Sequence, residues 1–285
     1  MKSLQHYRER FKYHWWGRFG TAGAVALIFY SLLNTLGFKM KSRSFPIRLK
    51  GVRHPFWGRF QTSDPDVFNQ IFIEQEYASL RYVRDPKLIV DCGANVGYSA
   101  LWFLNQFPDA CVIVVEPDPE NFELCKKNLL PYGERVSFRC AGIWPRETGL
   151  KVVRGEYKDG REWATQVREC RPGEKPDLQG VEIGHILQES GFKSIDILKI
   201  DIEASEEKLF AENYESWLRK AKNIAIELHG KACEDVFFNA MSFSDYDVSN
   251  SGELTLCKNI SPKVFAPQEK ALIPATQGQK ARPFA

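Results

Sequence analysis

The fold of this chain is decided by one stretch, Leu88-Ile89-Val90-Asp91-Cys92-Gly93-Ala94-Asn95-Val96-Gly97-Tyr98-Ser99. Three apolar residues, two of them β-branched, lead into an acid and then into two glycines four positions apart. A mostly apolar segment follows at residues 99–107. An apolar strand, a glycine turn and a helix in this order open a βαβ unit, so the stretch predicts a parallel sheet with helices packed against it.

The glycine turn would lie at the carboxyl ends of the strands, where helix N–H groups and bare backbone form ligand sites. A dinucleotide site prefers G-x-G-x-x-G, but the spacing here is Asp91-x-Gly93-x-x-x-Gly97, with Asn95 in place of the middle glycine. Asp91 suits a ligand with a cationic end, such as S-adenosylmethionine (SAM), which carries an ammonium and a sulfonium group. A tight turn that binds nothing is the alternative, so the other strand ends must decide.

The bulk composition indicates one globular α/β domain with appendages, since the 285 residues are 44% hydrophobic and 26% charged. The net charge is only +3, and lysines and arginines are interspersed with acids, so nothing indicates a nucleic-acid partner. Seven cysteines, an odd number without C-x-x-C spacing, predict neither a disulfide framework nor a structural metal. We therefore expect a reducing, cytoplasmic compartment.

The two ends of the chain differ from its middle, so we expect three parts. Residues 1–44 are basic and contain an uncharged segment, 19–38, which as a helix would reach about 30 Å. That helix could span a membrane, lie on its cytoplasmic face or pack on the domain, or it could be a cleaved signal peptide. Residues 45–262 form the domain, with an insertion at 144–180, and residues 263–285 have the composition of a disordered tail.

Strands and helices alternate five times along the domain, which predicts a doubly wound α/β sheet with helices on both faces. Beyond the opening stretch, buried strands are predicted at residues 112–115, 136–140, 195–202 and 223–228. Helices are predicted at residues 64–82, 99–107, 117–130, 181–190 and 203–219. Shorter strands are predicted at 47–49 and 57–60 in a lead-in hairpin, at 150–153 and 162–167 in the insertion, and at 243–248 and 253–256 as an antiparallel edge.

Acidic residues stand at the ends of four of the five predicted core strands. They are Asp91, Glu116, Asp201 with Glu203, and Glu227. Any one of these acids could equally cap the following helix, but four acids at the mouth of one sheet are harder to explain by capping. Glu116 could accept hydrogen bonds from two ribose hydroxyls, which fits the adenosyl end of SAM and of a nicotinamide dinucleotide alike.

A histidine lies at the end of the fifth predicted core strand. Glu227 and His229 alternate along it and would point to one face, as Lys199, Asp201 and Glu203 would if the fourth strand persists that far. His229 could act as a general base near neutral pH. The alternative is a hydrogen-bonded histidine with a structural role.

Four segments together resemble the FkbM family of SAM-dependent methyltransferases. They are residues 88–99, 112–121 with Asn128, 198–203 and 226–229, and the lead-in at residues 51–64 is similar as well. The Lys199-Ile200-Asp201-Ile202-Glu203 block and the Glu227-x-His229 ending are more specific to the family than the glycine turn. The family usually has Glu-Gly-Ala-Glu after its fourth strand, whereas this chain has Glu203-Ala204-Ser205-Glu206.

The resemblance implies a class I, Rossmann-like fold with a mostly parallel sheet and an antiparallel edge. It implies SAM as the methyl donor and O-methylation of a hydroxyl, or of a carboxylate, on a small molecule, a sugar or a lipid-linked glycan. The expected base is His229, with Glu203 or Asp201 as the alternative base or acceptor anchor. The residues expected to hold SAM are Asp91, Gly93, Asn95, Gly97, Glu116, Pro117, Asp118, Ala141 and Asp201.

Two other functions stay open at this point. An NAD-dependent oxidoreductase or epimerase has the same fold class, although the glycine spacing disfavours it. A membrane-tethered binding protein without catalysis would not need acids at four strand ends. No metal-ligand spacing is visible along the chain, so we predict metal independence. The acceptor pocket is expected from the lead-in and the insertion. Four arginines of the insertion (Arg146, Arg154, Arg161 and Arg168) could hold an anionic or sugar acceptor or lie solvated.

Overall fold

The computed structural model of this chain describes residues 44–59, 61–155 and 161–263. The uncharged segment 19–38 and the tail at 264–285 lie outside these residues, so the expectations for both stay predictions. Within the described ranges, none of the helices combines the length and the apolar character needed to cross a membrane.

The described residues form thirteen strands and seven α-helices, with short 3₁₀ and π turns between them. The strands are β1 (Ser44–Ile47), β2 (Phe56–Arg59), β3 (Leu88–Cys92), β4 (Cys111–Val115), β5 (Val136–Arg139), β6 (Gly142–Ile143), β7 (Gly149–Val153), β8 (Gln166–Glu169), β9 (Leu178–Val181), β10 (Ile197–Ile200), β11 (Ile224–Glu227), β12 (Ser244–Ser251) and β13 (Leu254–Pro262). The helices are α1 (Asp64–Phe68), α2 (Tyr98–Gln106), α3 (Pro119–Leu129), α4 (Ile183–Ser190), α5 (Glu206–Leu209), α6 (Glu215–Leu218) and α7 (Lys231–Ala240).

Seven strands form the central sheet in the order β12-β13-β11-β10-β3-β4-β5. The five strands from β11 to β5 are parallel, whereas β13 runs antiparallel to both β11 and β12. The predicted doubly wound, mostly parallel sheet with an antiparallel edge is therefore confirmed. The strand order reverses between β3 and β10, and ligands of open α/β sheets bind in the crevice at such a switch point.

The central strand β3 is buried along its whole length because helices cover both faces of the sheet. Ile89 packs in an apolar cluster with α2 and α3, whereas Leu88 and Val90 pack in a second cluster with α4, α6 and α7. A strand that is buried on both faces reads as an unbroken apolar run. This is why the bounds predicted for β3 and β4 agree closely with the structure.

The lead-in forms the predicted hairpin, with its first strand slightly earlier in the chain than expected. β1 pairs antiparallel with β2, with Ser44 opposite Arg59 and Ile47 opposite Phe56. Phe56 then packs edge-on against Tyr98 of α2, with ring centroids 5.4 Å apart. The lead-in is therefore part of the same core as the first βαβ unit.

The single helix predicted for residues 64–82 is wrong, because three short turns occupy that segment. α1 passes into a π-helix at Asn69–Glu74, Gln75 adopts a left-handed φ of 60°, and a 3₁₀ turn follows at Ala78–Tyr82. A π turn keeps apolar residues on one side while changing the period. The spacing of apolar residues alone therefore could not place the break.

The segment after the fourth core strand also differs from its prediction. The helix expected at residues 203–219 is two short helices, α5 and α6, and Asn213 lies between them with a left-handed φ of 59°. Helix α7 was not predicted, although Cys233, Phe237 and Ala240 are buried at helical spacing. Gly230 before α7, with φ 95°, marks its start.

The insertion folds as its own small sheet, in the order β6-β9-β7-β8. β7 matches the predicted strand at 150–153, whereas β8 begins four residues later than the strand predicted at 162–167. β9 was not predicted because its sequence, Leu-Gln-Gly-Val, is short and has little β-branched character. The insertion is therefore a β-layer that extends over the carboxyl ends of the central strands.

Candidate functional site

A pocket opens at the carboxyl ends of the central strands, at the switch point between β3 and β10. Its walls come from the glycine turn, the ends of β4, β10 and β11, the insertion and the lead-in. The predicted site residues that line it are Gly93, Asn95, Glu116, Pro117, Ala141, Asp201 and Glu203. The other predicted site residues, which do not line it, are Asp91, Gly97, Asp118 and His229.

The two glycines of the turn are needed for different close approaches. Gly93 has φ 80°, and a Cβ there would lie 1.8 Å from the carbonyl oxygen of Asp201. Gly97 has φ 85°, and its Cβ would lie 2.9 Å from the sulfur of Cys125. Gly93 therefore lets the turns after β3 and β10 meet at the pocket, whereas Gly97 lets α2 pack on α3.

Asp91 acts beneath the pocket rather than at its surface. Its carboxylate is fully buried and accepts a 2.5 Å hydrogen bond from the hydroxyl of Ser99. Its other oxygen lies 3.4 Å from the ammonium nitrogen of Lys199. Asp91 is therefore positioned to fix the turn and the lysine, whereas the sequence suggested direct contact with a ligand.

Lys199 joins the two strands at the switch point. Its buried ammonium donates a 2.5 Å hydrogen bond to the carbonyl of Gly93 and lies 3.5 Å from a carboxylate oxygen of Asp201. Burial alone would lower the pKa of Lys199, but the charges of Asp201 and Asp91 raise it well above its ordinary value. The lysine therefore stays charged, and its charge is shared between two acids of the site.

Glu116 is held at the end of β4 by two backbone amides. One carboxylate oxygen accepts a 2.7 Å hydrogen bond from Asn95 N, and the other accepts a 2.9 Å bond from Asp118 N. Burial raises the pKa of Glu116 to about 7, although these two bonds oppose the shift. A carboxylate fixed in this way keeps lone pairs that can accept bonds from ligand hydroxyls.

Asp118 has a structural role in the described fold. It is the N-cap of α3, and its side chain accepts hydrogen bonds from Glu120 N and Asn121 N. Its second oxygen accepts a 2.5 Å bond from Arg154 of the insertion. Pro117 and Ala141, by contrast, do line the pocket as predicted for cofactor residues.

The lining of the pocket is strongly acidic, and the ends of β10 and β11 form an acidic wall with Asp201, Glu203 and Glu227. Among the described side chains that line the pocket there is one lysine, Lys199, against seven carboxylates. The carboxylates are Glu76, Glu116, Glu162, Asp201, Glu203, Glu227 and Glu253. Burial raises the pKa of Asp201, and nearby acids add to the shift. Such a wall attracts cations and repels anions.

His229 lies behind this wall and is almost fully buried, with 3% of its side chain exposed. Its Nδ1 is 3.1 Å from Glu206 Oε1, and its Nε2 is 2.9 Å from Glu227 Oε1 and 3.3 Å from Glu203 Oε2. Burial alone would lower the pKa of His229, but hydrogen bonds to Glu206 and Glu227 outweigh it and raise the pKa to about 10. The ring is therefore a cation at neutral pH.

This arrangement suits a positioning cation better than a general base. A base must have a free lone pair near neutral pH, whereas both nitrogens of His229 face carboxylates. Asp201 and Glu203, the alternative bases, do line the pocket. The base role of His229 stays a prediction, and the geometry favours one of the two carboxylates instead.

The turn that carries Glu203 is conformationally unusual. Glu203 and Ala204 follow one another with left-handed φ angles of 51° and 69°. Glycine adopts such angles without strain, which explains why the FkbM-type pattern has glycine where this chain has Ala204. The carbonyl of Glu203 accepts a 2.8 Å bond from the side chain of Gln166, so the insertion holds the turn in place.

Three polar residues at the strand ends come together in a way that the sequence did not indicate. The potential donor atoms of Asp201, Glu227 and His229 all lie within 4.8 Å of one another. Our expectation of metal independence rested on spacing along the chain. These residues lie at the ends of two neighbouring parallel strands, and only the fold brings them together.

Several lining residues were missed because they lie outside the strand ends. Glu76 and Tyr77 come from the broken helix of the lead-in, and Glu253 comes from the turn before β13. No periodicity or motif marks them in the sequence.

Asn128, which the sequence analysis named only as part of the resemblance, connects the lead-in to α3. Its side-chain oxygen accepts a hydrogen bond from Trp57 N, and its side-chain nitrogen donates one to the carbonyl of Trp57.

Four of the five arginines of the insertion are paired with acids of the protein. Arg146 contacts Glu169 and Glu212, and Arg154 contacts Asp118. Arg161 likewise contacts Asp66, and Arg168 contacts Glu174. Their charges are thus engaged in holding the insertion to itself and to neighbouring elements, and they do not form an anion-binding group at the pocket.

Comparisons with known proteins bear on the same residues. A sequence profile of the methyltransferase FkbM domain matches residues 91–248, more than half of the chain. The chain is 23% identical over 198 residues to methyltransferase sdnD of Sordaria araneosa, covering 56% of this chain and 73% of sdnD. It is 24% identical over 200 residues to the AMB antimetabolite synthetase AmbE of Pseudomonas aeruginosa, where it covers 58% of this chain but 9% of AmbE.

Among solved structures, the SAH-bound Podospora anserina methyltransferase PaMTH1 aligns with a TM-score of 0.45 at 12% identity. The alignment covers 92% of this chain and 96% of that chain. The profile match includes the glycine turn, Glu116 and the acids at the ends of β10 and β11. It leaves out the lead-in and Glu253.

Proposed function

This chain belongs to the FkbM methyltransferase family and is a SAM-dependent methyltransferase, and from that premise we propose that it methylates an oxygen of a small-molecule acceptor. A hydroxyl is the favoured acceptor, and a carboxylate is the alternative. The observation that carries the proposal is one pocket that joins the glycine turn to carboxylates at the ends of β4, β10 and β11. An acidic wall beside a sulfonium site suits a reaction that must remove a hydroxyl proton.

The residues around the glycine turn fit SAM by their chemistry. The side-chain oxygen of Asn95 and one oxygen of Asp201 are shielded from solvent, and neither accepts a hydrogen bond from the described residues. The amide oxygen of Asn95 suits the cationic amino acid end of SAM, and Asp201 adds negative charge beside it, whereas Glu116 suits ribose hydroxyls. SAM supplies an electrophilic methyl group on a sulfonium. Gly93, Asn95, Glu116, Pro117, Ala141 and Asp201 are proposed to hold it.

Carboxylates of the chain are proposed to accept the proton of the acceptor hydroxyl. As the acceptor oxygen forms its bond to the methyl carbon, the O–H proton passes to Glu203 or Asp201, and the C–S electron pair stays on sulfur. Fixing the acceptor oxygen in line with the methyl group contributes much of the rate. His229 holds Glu203 and Glu227 in place by ion pairing, so its proposed role is positioning.

The acceptor itself is proposed to contact the lead-in and the insertion. Trp163 and Val167 of the insertion and Val67 and Ile71 of the lead-in supply apolar lining opposite the acids. Such a mixture of apolar walls and a few polar groups is typical of sites for small molecules and sugars. A lipid-linked glycan remains a candidate acceptor through segment 19–38, which would attach the protein to the cytoplasmic face of a membrane.

A labelling experiment tests the proposal. The purified full-length protein is incubated with methyl-labelled SAM and a metabolite extract, and the labelled products are identified by mass spectrometry. Labelled methyl ethers support a hydroxyl acceptor, whereas base-labile methyl esters indicate a carboxylate. Calorimetric titration with SAM and NAD runs in parallel, and binding of NAD in preference to SAM would contradict the proposal. Absence of any heat stabilisation by SAM would favour a non-catalytic binding protein.

A further inference from the structure

The acidic wall contains a compact group of metal-type ligands. Asp201 follows β10 and Glu227 ends β11, and the parallel register pairs Ile200 with Ile226, so the two acids are neighbours across the sheet. With His229 they place three donor atoms within 4.8 Å of one another. Two carboxylates and one imidazole are a ligand set that suits divalent first-row metal ions.

The imidazole of His229 is oriented as metal-binding histidines are. Its Nδ1 faces Glu206 at 3.1 Å, and Glu206 is fully buried and also accepts a hydrogen bond from Ile202 N. The ring is therefore fixed from behind, and Nε2 points toward Glu227 and Glu203. A carboxylate on one ring nitrogen and a metal on the other is the usual arrangement of a histidine ligand.

A second observation comes from Glu76, on a different element of the fold. Its side chain is 93% buried, since only 7% is exposed, and it lines the same pocket as Asp201 and Glu227. No donor within residues 44–59, 61–155 and 161–263 bonds its carboxylate. A buried acid without a partner, facing other acids, indicates that a cation belongs beside it.

The positive charges already in the pocket do not meet this need. Lys199 contacts Asp91 and Asp201 from the side of the turn. Asp201 Oδ1, on the other side of that carboxylate, is shielded from solvent and accepts no hydrogen bond from the described residues. The lysine therefore contacts only the Oδ2 side of Asp201 and leaves Oδ1 without a described donor.

We propose that Asp201, Glu227 and His229 bind a divalent metal ion of the Mn²⁺ or Mg²⁺ class, with Glu76 as a further negative charge in the same pocket. Carboxylate and water ligands suit Mg²⁺ and Mn²⁺, and this group contains none of the thiolates that select copper or zinc. Coordination requires the Nε2 proton of His229 to leave to solvent, while Nδ1 keeps its hydrogen on Glu206. The ion then takes the place of that proton between the carboxylates.

The ion has a defined use in the reaction, and this part rests on the proposed function. An acceptor hydroxyl bound to the metal loses its proton more readily, because the cation stabilises the alkoxide. The proton passes to Glu203, and the oxygen attacks the methyl carbon. A site of this kind selects acceptors with two neighbouring oxygens, such as vicinal diols, catechols or hydroxy acids, since both oxygens can bind one ion.

Metal binding is tested on the full-length protein without SAM or acceptor. The protein is stripped with EDTA, dialysed and titrated with Mn²⁺, and free Mn²⁺ is measured by electron paramagnetic resonance. We expect one ion per chain and a loss of affinity of at least tenfold in Glu227→Gln and in Asp201→Asn. Glu253→Gln removes the same charge at the exposed rim of the pocket and should change the affinity less than threefold.

Two results would overturn the proposal. One is no stoichiometric Mn²⁺ binding by the wild-type protein, and the other is an equal loss in Glu227→Gln and Glu253→Gln, which would mean general charge attraction. A spectroscopic readout adds a structural criterion: electron spin echo modulation from an imidazole nitrogen should be present in the wild type and lost in His229→Gln. Thermal melting of each variant in EDTA checks that it is folded, and the criterion is applied to whichever of Glu227→Gln and Asp201→Asn melts like the wild type.

The experiment separates this inference from the proposed function. Calorimetric titration with SAM in EDTA tests the methyl-donor site alone, and label transfer with and without Mn²⁺ tests the reaction. If SAM binds and label is transferred but Mn²⁺ is neither bound nor required, the result supports the proposed methyltransferase function and contradicts the metal site. If Mn²⁺ binds at Asp201 and Glu227 but no oxygen acceptor is labelled, the result supports the metal site and contradicts the proposed function.

Discussion

The two ends of the pocket hold their carboxylates in opposite ways. At the end of β4, Glu116 accepts hydrogen bonds from two backbone amides, Asn95 N and Asp118 N. At the ends of β10 and β11, Glu203 and Glu227 share the imidazolium of His229 instead. The first end uses neutral donors that lie within 25 residues of one another, and the second uses a charge brought in from a neighbouring strand.

The difference shows what each end is suited to do. Backbone amides fix a carboxylate without cancelling its charge, so Glu116 is a rigid acceptor for neutral hydroxyls. An imidazolium holds carboxylates by charge, so the arrangement at β10 and β11 can change when another cation replaces the proton. We therefore propose that the first end recognises the ligand and that the second end takes part in moving charge and protons.

The largest expected loss of stability and of SAM binding is at Gly93, where the turns after β3 and β10 meet. Gly93→Ala would place a methyl group 1.8 Å from the carbonyl of Asp201, on a backbone with φ 80°. We expect a loss of more than ~3 kcal/mol in unfolding free energy and loss of measurable SAM binding. Chemical denaturation and calorimetric titration provide the two measurements.

Gly51→Ala is the matched control for this change. Gly51 has φ 88°, but no atom lies within 4 Å of the position of its Cβ. The backbone strain is therefore the same and the steric clash is absent, so the expected loss is about 1 kcal/mol with SAM affinity unchanged. Equal losses in the two variants would show that the turns do not meet as described.

The second effect concerns only the charge-held end of the pocket, at β10 and β11, where His229 holds the carboxylates by charge. His229→Gln removes the cation between Glu203, Glu206 and Glu227, and we expect a loss of about 3 kcal/mol because buried carboxylates lose their partner. SAM affinity measured in EDTA should change little, since His229 does not line the pocket. Loss of SAM binding in a folded variant would mean that the two ends are not separable.

The pH dependence of this variant has a defined sign. The pKa of His229 is about 10 in the folded protein, above its ordinary value of 6.5. Its contribution to stability is therefore complete below pH 6.5 and is lost as the pH rises through 10. The difference in unfolding free energy between wild type and His229→Gln should shrink between pH 7 and 10. A constant difference would contradict the ion-pair role.

A third change tests the end that is held by backbone. Glu116→Gln keeps the shape of the side chain but removes one acceptor oxygen, and we expect about tenfold weaker SAM binding, which is roughly 1.4 kcal/mol. Asp118→Asn is the control, because Asp118 caps α3 and does not line the pocket. It should change SAM affinity less than twofold, and equal effects would place Asp118 at the ligand.

The smallest expected effect is a gain in stability, whereas the changes above reduce stability or ligand binding. Glu76→Gln removes a buried acid without a partner, so the metal-free variant should be about 1 kcal/mol more stable than wild type at pH 8, with the gain limited by solvent screening at the pocket. The pKa of Glu76 is raised to about 7 from 4.5. Its favourable contribution is present below pH 4.5 and lost as the pH rises through 7, so the gain should vanish at pH 4.5.

The backbone-held end of the pocket, where two backbone amides fix Glu116, could be predicted from the sequence because its parts are close together in the chain. An apolar run, two glycines and an acid at the end of the next strand were enough to place β3, β4 and Glu116. The central parallel strands were predictable for the same reason, since burial on both faces leaves unbroken apolar runs. Local sequence therefore carried the fold class and the family, and it supplied the residues that we propose hold the methyl donor.

The charge-held end could be predicted only in part. Asp201, Glu203, Glu227 and His229 were identified as site residues from their positions at strand ends. Their mutual distances, and the pairing of His229 with Glu206, depend on packing between β10, β11 and α5, which no local pattern encodes. Glu76 was missed because a π-helix and a left-handed residue place it at the pocket. Helix α7 was missed although its apolar spacing was readable.

The pairing of β3 with β10 also affects how the molecule folds. Leu88 N donates a hydrogen bond to Asp196 Oδ2, although the two residues are 108 positions apart in the chain. Contacts between such distant segments form late, because a long loop must close before they contribute. The switch-point crevice is therefore complete only in the finished sheet. We expect a ligand that binds there to slow unfolding while leaving the rate of folding unchanged.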